Sequence, residues 1–227
     1  MRTLATAFIG LAALGAALTL TARPVDAASE PHELVEKAKL TAERLLAQTD
    51  YAEVRNWIRK AKGVLIVPSL LKAGFLIGGE GGSGVLLSHN SDTGWSDPAF
   101  YTLGAVSIGF QIGVQDSEVL FVIMTDKGLE AMIDKHVKLG ADASIAAGPL
   151  GAGVEGATTA GLGADIYSYS MTRGAFGGIS FEGTVAVERE DWNRMYYGAG
   201  ATPRGIVIDR KFTNPHALGL RKALEVR

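Results

Sequence analysis

Several residues in this sequence have types and spacings that could do chemistry. Gly79-Glu-Gly81-Gly-Ser-Gly84 matches G-x-G-x-x-G, the spacing by which a strand turning into a helix holds a pyrophosphate on backbone N–H groups. The continuation, Val85-Leu86-Leu87-Ser88, is apolar and stops at the polar cluster Asn90-Ser-Asp-Thr-Gly94, which reads as another strand ending in a turn. No helix is expected where the phosphate would need one. These glycines are expected instead to let a hairpin turn tightly and the sheet curve. A second match, Gly151-Ala-Gly153-Val-Glu-Gly156, is no better placed, and a chain with 29 glycines produces such matches by chance.

Other chemistries find little footing. The sequence has no G-x-S-x-G elbow, no H-E-x-x-H and no Walker lysine after either glycine cluster. His89, Asp92 and Asp97 lie close enough to ligate a metal, but their spacing matches no ligand motif. Gly94-Trp-Ser-Asp97-Pro98 reads as a turn in which Asp97 and Pro98 fix geometry and Trp95 covers the core. His32, His136 and His216 stand isolated in sequence and are expected at the surface. Glu182, Glu188, Glu190 and Asp191 could supply an acid/base pair, or simply a solvated rim after a strand. No catalytic residue and no cofactor are expected.

A different signal lies between Arg55 and Lys72, where Arg55, Arg59, Lys60, Lys62 and Lys72 occur with no acidic residue. In a helix over 52–62, Arg55, Arg59 and Lys62 share one side, and Val54, Trp57, Ile58 and Ala61 form the other. Cations beside an amphipathic Trp57 suit an interfacial helix on anionic headgroups. The same pattern also suits a core-packing helix with an ordinary solvated basic face.

These residues must be positioned by the elements around them. Residues 32–48 have a helical apolar period, and a short helix is expected over Ala52 to Ala61. From Gly63 the pattern becomes β: Val64–Val67, Phe75–Ile77, Gly84–Ser88, Phe100–Gln115 and Glu118–Met124. A helix capped by Asp126 interrupts over 126–135, and strands follow over 143–147, 164–171 and 179–188. Short helices close the chain at 191–198 and 214–224. Short connections without crossover helices favour antiparallel pairing. The expected fold is α+β: a curved, glycine-rich, mainly antiparallel sheet, with closure into a barrel left open, flanked by N- and C-terminal helices.

The N-terminus reads as an export signal. Met1-Arg2 precedes an uncharged run from Leu4 to Leu20, and Val25-Asp26-Ala27 provides small residues for a signal peptidase. Residues 1–27 are expected to be a signal peptide and 28–227 a single domain, periplasmic or secreted. With no cysteine in the chain there is no lipoprotein anchor, disulfide or thiol chemistry. Losing Arg2, Arg23 and Asp26 shifts the formal net charge from −2 to about −3, so no global field draws the protein to nucleic acid or membrane.

The segments "KAKGVLIVP", "GGEGGSGVLL", "GWSDPAFYTLGAVSIGFQIGVQDSEVLFVIMT", "KLGADASIAAGPLG" and "YSYSMTRGAFGGISFEGTVAVEREDWNRMYYG", in this order, resemble the SYLF domain family. The resemblance covers about 55–198, with an N-terminal helix before it and an extension over 199–227. It implies a non-enzymatic lipid-binding or membrane-associating protein. Arg55, Trp57, Arg59, Lys60, Lys62 and Lys72 are the candidate lipid-contacting residues, and the implied partner is an anionic lipid or membrane surface. Yeast members of the family are associated with actin. An exported protein would not meet actin, so the alternative is an envelope protein-interaction or structural module without lipid binding, with an envelope protein as partner. A small-ligand binder or enzyme is the further alternative.

Overall fold

The computed structural model describes residues 30–47, 52–75, 77–108, 113–134, 136–148, 163–173 and 181–226. Two helices, α1 (Glu30–Ala47) and α2 (Ala52–Lys60), lead into strands β1 (Gly63–Phe75), β2 (Ile77–Asn90), β3 (Gly94–Trp95), β4 (Ala99–Ile108) and β5 (Gly113–Ile123). Helix α3 (Asp126–Ile133) precedes β6 (His136–Lys138), β7 (Ile145–Ala147), β8 (Ile166–Arg173) and β9 (Val185–Glu188). Helix α4 (Glu190–Tyr197), a π-helical turn (Arg204–Ile208), a 3-10 turn (Pro215–Ala217) and α5 (Leu218–Ala223) complete the order.

Among the described residues the strands form one sheet, ordered β6-β9-β4-β2-β1-β5-β8-β7, with β3 added to β2. Its pairs are antiparallel except β7 with β8. The end strands β6 and β7 are sequence neighbours joined by residues 139–144, where the Gly140 N–H donates to the Ala143 carbonyl at 2.8 Å. A short link between opposite ends of one sheet draws those ends together. The sheet is therefore strongly curled, a half-barrel with helices at both chain ends, as the pattern of short strands and glycines predicts.

Both faces of the central strands are covered, so they read as continuous apolar runs. Val64, Ile66, Leu120 and Val122 face a cluster with Leu45 of α1, Val54 and Ile58 of α2, Trp192 of α4 and Leu220 of α5. Leu65, Val67, Phe121 and Ile123 face the other cluster, with Leu129 and Met132 of α3 and Ile206 of the π-turn. Each such side chain taken fully out of water contributes about 1.5–3 kcal/mol before entropy is counted.

β1 contains Pro68, which has no N–H to give to a ladder, yet β1 is paired on both sides. The register moves by one residue between Ile66 and Ser69 against β2 and between Val67 and Leu70 against β5. A bulge at Val67-Pro68-Ser69 accommodates the proline, as proline in a central strand requires. It also explains the glycines opposite. A Cβ on Gly82 would stand 2.4 Å from the Ser69 carbonyl oxygen, and one on Gly84 would stand 2.9 Å from that of Ile66.

Several sequence expectations change here. Gly79, Gly81 and Gly84 are not at the hairpin turn; they lie within β2, paired to β1 and β4, or to β4 opposite the bulge. Phe75–Ile77 is not a separate strand but the place where β1 reverses into β2, with Phe75 opposite Ile77. The run Phe100–Gln115 is not one strand: β4 and β5 stand on either side of the β1–β2 hairpin, because each finds a longer partner there. Helix α3 is capped by Thr125 rather than Asp126, its side chain accepting from the Gly128 N–H. The second glycine match, at 151–156, lies outside the described residues, as do the residues read as an export signal.

The bulge makes a specific prediction. Gly82→Ala should destabilise the protein by about 1–3 kcal/mol, the usual cost of forcing an extra group into packed backbone. Gly81→Ala should be nearly neutral, because its Cβ would meet nothing closer than the Leu103 carbonyl at 3.8 Å. Thermal melting of the two variants checks this, and equal losses would contradict it.

Candidate functional site

Helix α2 exists because one of its sides is apolar. Val54 and Ile58 are fully buried, and Ala61, just past its end, is buried too. Trp57 is half-buried and packs on Tyr167, ring centroids 4.7 Å apart, so it belongs to the core's edge more than to the solvent face.

The predicted cations do not converge. Arg55 turns back to the last turn of α1, where its Nη1 donates to the Leu46 carbonyl at 2.6 Å. That is a helix-end role, since the last carbonyls of a helix lack intrahelical donors. Lys72 lies ten residues along β1 from Lys62, roughly 30 Å away, opposite Glu80, to which its Nζ comes within 4.0 Å. Lys62 pairs with Asp126 at 3.1 Å, both ends largely exposed, a contact of small energetic weight. Arg59 and Lys60 project into solvent, the Arg59 guanidinium donating to the Asn56 side-chain oxygen. The basic feature is thus Arg59, Lys60 and Lys62 at the junction of α2 and β1.

A cleft of about 500 Å³ opens beside this junction. Its apolar walls are Ile58, Trp95, Leu224 and Val226, and its polar groups include Arg59, His89 and Glu225. The loop Gly94–Pro98 builds it, with Trp95 and Asp97 in the structural roles expected from their pattern. Trp95 stacks on His89 at 4.6 Å, and its indole N–H donates to the Leu224 carbonyl at 3.1 Å. Asp97, buried, accepts from the Asn214 N–H at 2.6 Å and from Arg221 at 3.1 Å. The chain's last segment is thereby strapped across Trp95 and forms one wall of the cleft. Sequence reading missed this wall, because nothing local marks Leu224–Val226 as a neighbour of Trp95.

The metal alternative finds no convergence. Asp97 is engaged by Arg221 and Asn214, Asp92 accepts from Ser91, and His89 lies against Trp95 with its Nδ1 3.3 Å from the Ala61 carbonyl. Among the described residues no group of three His, Asp or Glu could hold a metal ion. The carboxylates near α4 form an ion-paired rim. Arg189 bonds Asp191 through Nε and Nη2 at 3.0 and 2.9 Å, and these bonds hold the Asp191 carboxyl below its ordinary pKa. A general acid at neutral pH needs the opposite shift. Two histidines are not isolated as expected: His32 and His216 meet edge-on at 4.7 Å, with the Tyr196 hydroxyl 3.1 Å from His216 Nδ1. His136 is exposed on β6.

Residues 104–227 match the family model Ysc84, described as "Las17-binding protein actin regulator". The chain belongs to the Ysc84 (SYLF) family. Among curated relatives, LAS seventeen-binding protein 3 of Saccharomyces cerevisiae (strain YJM789) is 34% identical over 173 residues, which are 75% of this chain and 38% of that protein. Protein YSC84 of Saccharomyces cerevisiae (strain ATCC 204508 / S288c) is 34% identical over 173 residues, 75% of this chain and 37% of its own length. SH3 domain-containing YSC84-like protein 1 of Homo sapiens is 36% identical over 141 residues, 62% of this chain and 41% of that protein. The chain spans about two fifths of the length of these relatives. The Ysc84 model covers the second half of β4 onward, including the strap with Leu224, but not α2 with its cations nor the loop of Trp95 and Asp97.

Proposed function

We propose that this protein is an exported, non-enzymatic module of the Ysc84 family that associates with membrane lipid through the α2–β1 junction. One observation supports this above others. Arg59 and Lys60 project into solvent at the end of a helix whose other side is core, and an apolar-walled cleft opens beside them. Cations at such an edge are drawn to anionic headgroups, and the partly exposed Val226 gives a lipid an apolar group to cover. No cofactor enters this reading. Its export half rests on the run Leu4–Leu20 and the site Val25-Asp26-Ala27. Protein from an envelope fraction should begin at Ala28, and an intact Met1 there would contradict export.

A second reading, an envelope protein-interaction module without lipid binding, draws on the relatives' names, which describe proteins that bind a protein partner. Co-sedimentation with vesicles separates the two. Because Arg55 is engaged with Leu46, the informative variant changes Arg59, Lys60 and Lys62 together to Glu. Each cation near an anionic surface is worth about 1 kcal/mol, so binding to phosphatidylglycerol vesicles should fall around a hundredfold, with circular dichroism unchanged. Rising salt should weaken wild-type binding in the same direction, since exposed charges are screened over about 8 Å at physiological ionic strength. Equal binding by the variant would show that the basic junction is only solvated, and a stoichiometric protein partner without vesicle binding would favour the second reading.

A further inference from the structure

The cleft beside α2 holds two opposite charges that do not serve each other. Arg59 lines one part, with Asn56 as its bonded neighbour, and Glu225 lines the strap wall. Among the described residues no ion pair joins Arg59 to Glu225, nor either of them to another residue. The same cleft is lined by Val226, which is partly exposed, and by Ile58 and Leu224, which are almost fully buried. A purely anionic headgroup would suit Arg59 and be repelled by Glu225. A group bearing both a phosphate and an ammonium satisfies both walls, and the volume of about 500 Å³ falls in the range of small-molecule sites.

We propose that this cleft receives the headgroup of a zwitterionic phospholipid with a primary ammonium, phosphatidylethanolamine in class. The phosphate lies on Arg59, the ammonium donates to Glu225, and the glycerol rests against the partly exposed Val226. This deepens the membrane reading: the exposed cations supply attraction to an anionic surface, and the cleft selects which lipid is held there. Choline keeps the positive charge but has no N–H to give a carboxylate, so it forgoes this hydrogen bond. The strap held by Asp97 is what places Glu225 on the wall, so the selectivity depends on the C-terminal segment being docked.

The test uses the whole mature chain. Its vesicles contain constant phosphatidylglycerol, with the remainder either phosphatidylethanolamine or phosphatidylcholine. Wild type should bind the ethanolamine vesicles about fivefold more tightly, the worth of one net charge-assisted hydrogen bond at a partly exposed site. Glu225→Gln should erase that preference. A site of surface charge alone would instead gain affinity for both vesicles on losing a negative residue. Equal wild-type binding to the two vesicles overturns the cleft assignment while leaving the membrane reading in place. If no vesicle is bound, the membrane reading falls, and soluble headgroups decide the cleft. Shifts of the His89 and Trp95 ring resonances with glycerophosphoethanolamine but not glycerophosphocholine would uphold it, and no shift with either would overturn it.

Discussion

A proline in the middle of a doubly paired strand is the constraint around which this fold is arranged. Pro68 cannot donate to a neighbour, so β1 bulges there, and the bulge shifts the alternation of everything beyond it. Before it, Val64–Val67 feed the two cores in turn. After it, Leu71 and Ala73 face outward while Lys72 turns to Glu80. The partner strand meets the bulge with Gly82 and Gly84, whose missing side chains let the Ser69 and Ile66 carbonyls approach. Of the three glycines that look in sequence like a phosphate cradle, Gly84 is a counterpart of the proline, while Gly79 and Gly81 have room for a Cβ.

The other organising contact lies at the opposite end of β1. Asp97 is a buried carboxylate satisfied by a backbone N–H and a guanidinium from the last segment of the chain. Burying a charge is costly unless it is paired and hydrogen-bonded, and removing one partner exposes that cost. The contact therefore fixes the strap, and with it one wall of the cleft beside α2. Near α4 the carboxylates are more exposed: Asp191 is held by Arg189, while Glu190 lies 4.0 Å from Arg194 in an exposed pair of small energetic weight.

The parts of this structure legible in sequence were those set by local pattern. The helical period of α1 and α2, the β-rich middle and the closing helices are written in residues three, four or two apart. The ordered motifs pointed to the family. What pattern could not supply was partnership at a distance. Arg55 reads as one cation among five until Leu46, nine residues earlier, is seen to need a donor. Lys72 reads as part of the same cluster until strand register sets it against Glu80. His32 and His216 read as isolated because 183 residues separate neighbours that meet only when α1 packs on the C-terminal segment. Pro68 itself was visible, but a strand was expected to stop there, since only two-sided pairing makes a bulge preferable to an end.

The central claim is that the α2–β1 junction, and not the far end of the sheet, faces the membrane. The chain has no cysteine, so a single introduced one can take a lipid-sensitive fluorophore without competition. Ser91 is exposed at the rim of the cleft, and Val106, 81% exposed, lies on β4 opposite the reversing end of the β1–β2 hairpin. With vesicles carrying a quenching lipid, the label at residue 91 should be quenched and blue-shifted while that at 106 stays in water. Quenching at 106 with residue 91 left in water would place the membrane at the other end of the molecule and contradict the account.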